Sequence, residues 1–261
     1  MARIETIVNS RLKTGILAAL AEGPRSSSEL ARILETSQPV VHHALSNLLK
    51  DCTVERIKSS TKDAAYALTN LGLIRAELLS QMFAGDRVAS ELSEFLRTHD
   101  ISEIPPYLIG QIGQLSGTEI IKSGNENILR MQECYISEMM NAKEIFGVAP
   151  VIMPGDSEAM ITSIERGIPV SLILTEEIIN VPQKENERIT SQLMQAENFH
   201  LYSVPKARVS FTVTDSLLSL GLFRLDGQYD ALNDLFCHSK GAVRWGKMLF
   251  QHYLERAVQI C

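Results

Sequence analysis

The residues best suited to chemistry in this chain sit on the polar side of one apolar-periodic segment, Ser37 to Lys50. Val41, Leu45 and Leu48 fall four and three apart and make one inner face, which leaves Gln38, His42, His43, Ser46 and Asn47 on the other. A glutamine amide pairs bidentately with adenine, and serine and histidine reach base edges or phosphates. Ser37 suits the N-cap and Pro39 the first turn, where no intrahelical donor is lost. These residue types point to reading a DNA major groove from the N-terminal half of a helix. The plain alternative is a solvated face on a protein-interaction module. Adjacent histidines also suit a metal or a pH switch, but no second ligand cluster lies nearby and no metal is expected.

Positioning such a helix takes a helix-turn-helix and a wing. Asn9 to Glu22 is amphipathic, with Leu12, Ile16 and Leu20 inward and Gly23-Pro24 ending it. A short helix follows, with Glu29, Leu30, Ile33 and Leu34 as its inner face, and then the break Glu35-Thr36-Ser37-Gln38. Thr53 to Lys58 and Ala64 to Leu68 alternate like strands around a polar turn, the order of a winged helix. Arg25, Lys50, Lys58 and Lys62 stand where they would contact phosphates, adding affinity and salt dependence without sequence choice.

Charge agrees with this division. The chain of 261 residues has a net charge of -6, yet residues 1–70 hold nine Lys/Arg against seven Asp/Glu. A basic surplus of +2 at that end leaves -8 for the rest. No apolar run reaches membrane-span length, no secretory signal is visible, and the four cysteines form no C-x-x-C pair, so a reducing cytoplasm is expected.

Asn70 to Leu96 continues as a long helix that Thr69 can cap, with Leu71, Ile74, Leu78 and Met82 at helical spacing and a break at Gly85-Asp86. The expected organisation is a winged helix over 1–70, a linking or dimerising helix over 71–98 and a regulatory domain over 99–261. In that last part, helices are expected at Asn125–Lys143, Ser157–Arg166, Glu185–Gln195 and Ser239–Val258. Strands are expected at Glu144–Ala149, Pro169–Leu174, His200–Val204, Arg208–Thr214 and Leu217–Phe223. The fold class is therefore α+β or α/β, a winged helix-turn-helix followed by a mixed α/β effector domain.

Candidate effector residues are Arg208, Ser210, Tyr229 and Asp230. Ser210, Thr212 and Thr214 alternate with apolar neighbours, so that face meets either solvent, the slightly favoured reading, or a pocket in which Arg208 holds an acidic molecule. Asp226-Gly227 is a turn that aims Tyr229 and Asp230. Trp245 reads as core, and the cysteines read as buried and structural. His238-Ser239-Lys240 matches half of an H-x-K phosphodiesterase signature, but Trp245 stands where its Asp belongs. No Walker loop, G-x-S-x-G or dinucleotide fingerprint appears, so no catalytic residue and no cofactor is assigned.

The stretch SQPVVHHALSNLLKDCTVERI resembles the recognition helix and first wing strand of ArsR-like and MarR-like winged-helix regulators. Tyr66, Leu68, Thr69 and Gly72 match the Y-x-L-T-x-x-G of many archaeal members. Cys52 stands where that family usually has Gly, so either the turn is built differently or Cys52 is mildly strained. Further on, IPPYLIGQIGQL, GIPVSLILTEEI, LFRLDGQYD and AVRWGKMLFQHYLERA resemble the sensor region of archaeal methanogenesis-type winged-helix regulators. The resemblance implies a cytoplasmic, homodimeric transcription regulator that binds double-stranded promoter DNA and senses a small-molecule signal. Two rivals stay open, an enzyme with a winged-helix appendage and a winged helix that binds protein.

Overall fold

The computed structural model describes residues 4–58, 64–124, 126–153, 155–180 and 195–261. It divides into two compact units, Met1–Phe83 and Ala84–Cys261. The helix expected at Glu185–Gln195 falls almost wholly outside the described residues, and Lys62 falls outside them too.

The first unit opens with α1 (Glu5–Val8) and α2 (Arg11–Ala21), whose N-cap Ser10 accepts the Lys13 N–H. A short strand β1 (Arg25–Ser26) leads into α3 (Ser27–Ile33) and α4 (Gln38–Lys50). Two strands, β2 (Val54–Ile57) and β3 (Ala65–Leu68), form the wing, and the sheet order is β1-β3-β2. Ile16, Leu17, Leu20, Leu30, Val41, Leu45, Leu48 and Tyr66 make one buried core. The inner face of α3 differs from expectation, because Ile33 is 48% exposed while Ser27 and Ala31 are buried. Glu29 is exposed because it closes a capping box, accepting the Ser26 N–H at 2.7 Å while the Ser26 hydroxyl accepts the Glu29 N–H.

The exit from α4 explains the Y-x-L-T-x-x-G sequence. Tyr66 and Leu68 are buried, and the Thr69 hydroxyl donates to the Cys52 carbonyl at 2.6 Å and accepts the Gly72 N–H at 3.0 Å. A Cβ on Gly72 would lie 2.0 Å from the Thr53 carbonyl oxygen, so only glycine lets the next helix approach this strand. Cys52 has φ +53°, the strained left-handed conformation, and it is exposed rather than buried.

The next helix, α5 (Asn70–Glu91), buries Arg75, Ala76 and Leu79. Ile74, Leu78 and Met82 instead point outward, so the apolar stripe read from the sequence is the exposed one. No break occurs at Gly85; the helix runs on to Glu91 and is followed by α6 (Ser93–Leu96). A Cβ on Gly113 would meet Ala84 and the Gly85 nitrogen within 3 Å, so this part of α5 is closely packed by a 3-10 turn at Ile112–Leu115. A short α7 (Pro106–Ile109) precedes that turn.

The second unit is built on one eight-stranded sheet. Its strands are β4 (Glu119–Lys122), β5 (Ile145–Ala149), β6 (Val170–Thr175), β7 (Phe199–Val204), β8 (Val209–Thr214), β9 (Leu218–Leu222), β10 (Asn233–Cys237) and β11 (Val258–Gln259). They run in the order β11-β7-β6-β5-β8-β9-β10-β4, with β5, β6 and β7 parallel and the remaining pairs antiparallel. Strands β4, β10 and β11 were not anticipated, and the final helix ends at Leu254 rather than Val258. Beyond α6 and α7, its described helices are α8 (Arg130–Asn141), α9 (Asp156–Glu165), a single turn α10 (Glu176–Ile179) and α11 (Lys240–Leu254).

Alternation divides the sheet into two faces. Val148, Ile173, Phe211, Val213 and Leu220 pack on α11 through Trp245 and Leu249. Trp245 is fully buried and donates its indole N–H to the Leu108 carbonyl at 2.9 Å. Ile145, Val170 and Leu201 pack instead with Met139, Met160 and Ile164 of α8 and α9. The half-signature at His238 has a structural use: the Ser239 hydroxyl caps α11 by accepting the Ala242 N–H at 3.0 Å.

Candidate nucleic-acid interface and ligand cavity

Helix α4 presents Gln38, Pro39, His42, His43 and Ser46 as exposed residues, with Asn47 half-buried beside them. Two of these are held in place. The buried Ser27 hydroxyl at the start of α3 accepts the Gln38 amide N–H at 3.0 Å and meets His42 Nε2 at 3.3 Å. One turn on, Asn47 and His43 are 3.5 Å apart. One hydroxyl of the supporting helix thus orients a pair of side chains on the outer face of the next helix. Ser37 occupies the N-cap with extended backbone angles, but its side chain makes no capping hydrogen bond, which leaves the hydroxyl at the helix start.

The basic residues surround this face with differing freedom. Lys50 ends α4 and Lys58 follows β2, both exposed. Arg25 is partly engaged, 3.7 Å from Glu22.

In the second unit, the polar face of β8 meets neither solvent nor Arg208. Thr212 and Thr214 are buried. Ser210 and Thr212 line a cavity of about 210 Å³ between the sheet and α8–α9. Its floor is the alternate-residue set Gly147, Leu172, Leu201, Thr212, Ser219 and Asp234, residues of six strands that lie on one face of the sheet. Tyr135 of α8 and Tyr229 complete it, and Tyr135 bonds Thr212 at 2.8 Å. A Cβ on Gly221 would lie 2.3 Å from the Tyr229 hydroxyl, so that glycine gives the phenol its seat. Arg208 is spent elsewhere: it pairs with Asp100 at 3.2 Å and lies over the Phe223 ring.

Two carboxyls face this cavity, Asp156 and Asp234, and none of its described lining residues is Lys, Arg or His. Burial pushes Asp234 up to about 7, and only neutral groups oppose it, the Ser219 hydroxyl at 2.5 Å and main-chain N–H groups. Burial also raises Asp156, against hydrogen bonds from the Met153 N–H and the Gln132 amide. Burial raises both tyrosines further. The sequence offered no motif for Tyr135, Asp156, Ser219 or Asp234; only the β8 alternation could have signalled the cavity.

Asp230 lies next to Tyr229 yet belongs to another cluster. It receives His99 Nε2 at 3.0 Å, the Asn233 amide at 2.8 Å and Arg224 at 3.3 Å. Burial alone would raise its pKa, but the hydrogen bonds from Asn233, Leu232 and His99, with the Arg224 charge, bring it below the usual carboxylate value. The turn anticipated at Asp226-Gly227 is present, with Gly227 at φ +91° and the Asp226 carboxylate accepting the Gln228 N–H. His99 stacks on Phe95 of α6 at 3.7 Å. The Asp100 N–H donates to the Phe223 carbonyl, and the Leu225 N–H to the Thr98 carbonyl. The hairpin after β9 therefore carries a cavity residue and, one residue on, the grip on the segment that follows α5 and α6.

Comparison with known proteins places these units in a family. Residues 1–85 match the family model "Methanogenesis regulatory protein FilR1, N-terminal domain", and residues 128–256 match the corresponding middle domain. Methanogenesis regulatory protein FilR1 of Methanothrix harundinacea (strain 6Ac) is 28% identical over 99% of this chain. The chain spans 58% of the length of that curated relative. Among solved structures, TrmBL2, described as an archaeal chromatin protein with a novel mode of DNA binding, is 16% identical over 95% of this chain and 93% of its own, at a TM-score of 0.45. The adhesin competence repressor AdcR of Streptococcus pyogenes is 21% identical over 34% of this chain and 66% of its own, at a TM-score of 0.30.

The Asp234 carboxyl carries a pH signature. The folded protein holds its proton up to about pH 7, whereas the unfolded chain releases it near the ordinary value of 3.8, so stability falls as pH rises between these values. Asp234→Asn removes that loss. Thermal melts are expected to coincide with wild type at about pH 4 and to exceed it by about 10 °C at about pH 8.

Proposed function

The chain belongs to the methanogenesis regulatory protein family over its N-terminal and middle domains, and on that premise we propose that it is a sequence-specific DNA-binding transcription regulator of metabolic genes. The observation that carries this reading is the outer face of α4, where Ser27 fixes Gln38 and His42 beside exposed His43 and Ser46. A polar helix face oriented from behind is what base readout needs. Ser37, Pro39 and Asn47 belong to the same approach surface, and Arg25, Lys50, Lys58 and Lys62 supply phosphate contacts. The domains proposed are the winged helix over 1–70, the linking helix over 71–98 and the effector domain over 99–261.

The cavity is the proposed effector site, with Ser210 and Tyr229 in it and Asp230 and Arg208 acting from outside. A ligand that moves Tyr229 bears on Asp230, and through His99 on the segment behind α5 and α6. Regulation requires that the ligand bind the DNA-competent and incompetent states unequally. The protein acts in the cytoplasm on promoter DNA. The regulator reading is preferred to the enzyme reading because the family match is to a regulatory protein and the sequence carries no recognised catalytic motif. Among the described residues no helix is long and apolar enough to cross a membrane.

A dimer reading two half-sites follows from the outward stripe of α5, with Ile74 60% and Leu78 51% exposed. The double variant Ile74→Glu/Leu78→Glu is expected to sediment as a monomer where wild type is a dimer; a wild-type monomer on and off DNA would remove the dimer. For readout, binding to promoter DNA is to be titrated against salt. Gln38→Ala and His42→Ala should weaken specific binding about tenfold with the salt slope kept, and Lys58→Ala should lower that slope by about 1. Unchanged affinity in both α4 variants would take that face out of the readout.

A further inference from the structure

We propose that the cavity of the second unit binds a small organic cation, an amine whose ammonium group meets Asp234 and Asp156 and whose hydrocarbon part lies on Met131, Leu172 and Phe199. The proposal rests on the effector reading above and names the chemistry of the effector.

The argument begins with charge. The cavity wall carries two carboxyls and no described cationic side chain. Elsewhere in the same unit the fold does supply a cation: Asp230, four residues before Asp234, has Arg224 at 3.3 Å. Asp234 has only neutral donors, the Ser219 hydroxyl and main-chain N–H groups such as that of Leu235 at 2.8 Å. Asp156 likewise has the Gln132 amide and the Met153 N–H. A carboxylate offers about four acceptor positions, so each keeps room for one further donor. Above about pH 7, where Asp234 is ionised, two carboxylates facing one cavity favour a guest that brings the opposite charge, because a buried ion is stable only when paired.

Shape and polarity narrow the class. At about 210 Å³ the cavity exceeds the ~150 Å³ that accepts a benzene ring, so it suits one ring or a short chain. Most of the remaining lining is methionine, leucine, isoleucine, valine and phenylalanine, which suits hydrocarbon and not a polyol. An acidic ligand would place a third negative charge beside Asp156 and Asp234 with no Arg208 to meet it, since that guanidinium pairs with Asp100.

The test is calorimetric titration of the full chain at about pH 8 with three probes of one shape: cyclohexylamine, cyclohexanol and cyclohexanecarboxylate. Cyclohexylamine is expected to bind at least about tenfold more tightly than cyclohexanol, with no binding of the carboxylate. Asp234→Asn, checked for folding by its melt, and Asp156→Asn should each lower amine affinity about tenfold. Equal or tighter binding of the alcohol or the acid overturns the proposal. So does no binding of any probe, or amine affinity unchanged in both variants. Promoter affinity measured alongside separates the two levels. Amine binding that leaves promoter affinity unchanged upholds the ligand class and removes the effector reading; a promoter response to the carboxylate alone overturns the class and keeps that reading.

Discussion

The buried carboxylate of Asp230 is the contact on which the second unit's organisation depends. A side chain only 2% exposed stays ionised because His99, Arg224, Asn233 and the Leu232 N–H converge on it. Removing one partner of such a buried pair typically costs about 3–5 kcal/mol. The partners come from far apart in the chain. His99 follows α6, whereas Arg224 and Asn233 flank the hairpin after β9. The interaction therefore fastens the segment behind α5 and α6 to the sheet, and it fixes the hairpin that seats Tyr229 in the cavity.

Asp234, four residues on, shows what the same acid does without a cation. Burial raises it to about 7 where the partners of Asp230 hold that residue low. The first carboxylate is spent on architecture. The second lines a cavity with neutral donors alone beside it, and that lining is the physical basis for assigning the cavity a cationic ligand.

What could be read from the sequence follows how local each feature is. The helix-turn-helix was legible because Val41, Leu45 and Leu48 repeat at helical spacing within a single element. Cys52 was legible as an anomaly because the turn needs a left-handed residue whatever follows it. The cavity was not legible, since its floor takes one or two residues from each of six strands spread over nearly ninety positions. Strand β10 was missed because Asn233-Asp234 reads as a continuation of the Asp226-Gly227 turn, and its pairing with β9 and β4 is long-range. The expected break at Gly85 failed because glycine within a helix costs only about 1 kcal/mol, and the close packing of Gly113 there uses the missing side chain. Arg208 was assigned to a ligand because the sequence could not reveal Asp100 beside it.

The central claim is that the cavity and the segment behind α5 and α6 respond as one through Tyr229 and Asp230. Gly221→Ala tests it, because the new Cβ would lie 2.3 Å from the Tyr229 hydroxyl and must displace that ring. Residue-resolved amide exchange then reports on two remote hydrogen bonds, from the Asp100 N–H to the Phe223 carbonyl and from the Leu225 N–H to the Thr98 carbonyl. The account predicts that both amides exchange about tenfold faster in the variant while those of α11 are unchanged. Wild-type exchange at Asp100 and Leu225, with Tyr229 displaced, would contradict it.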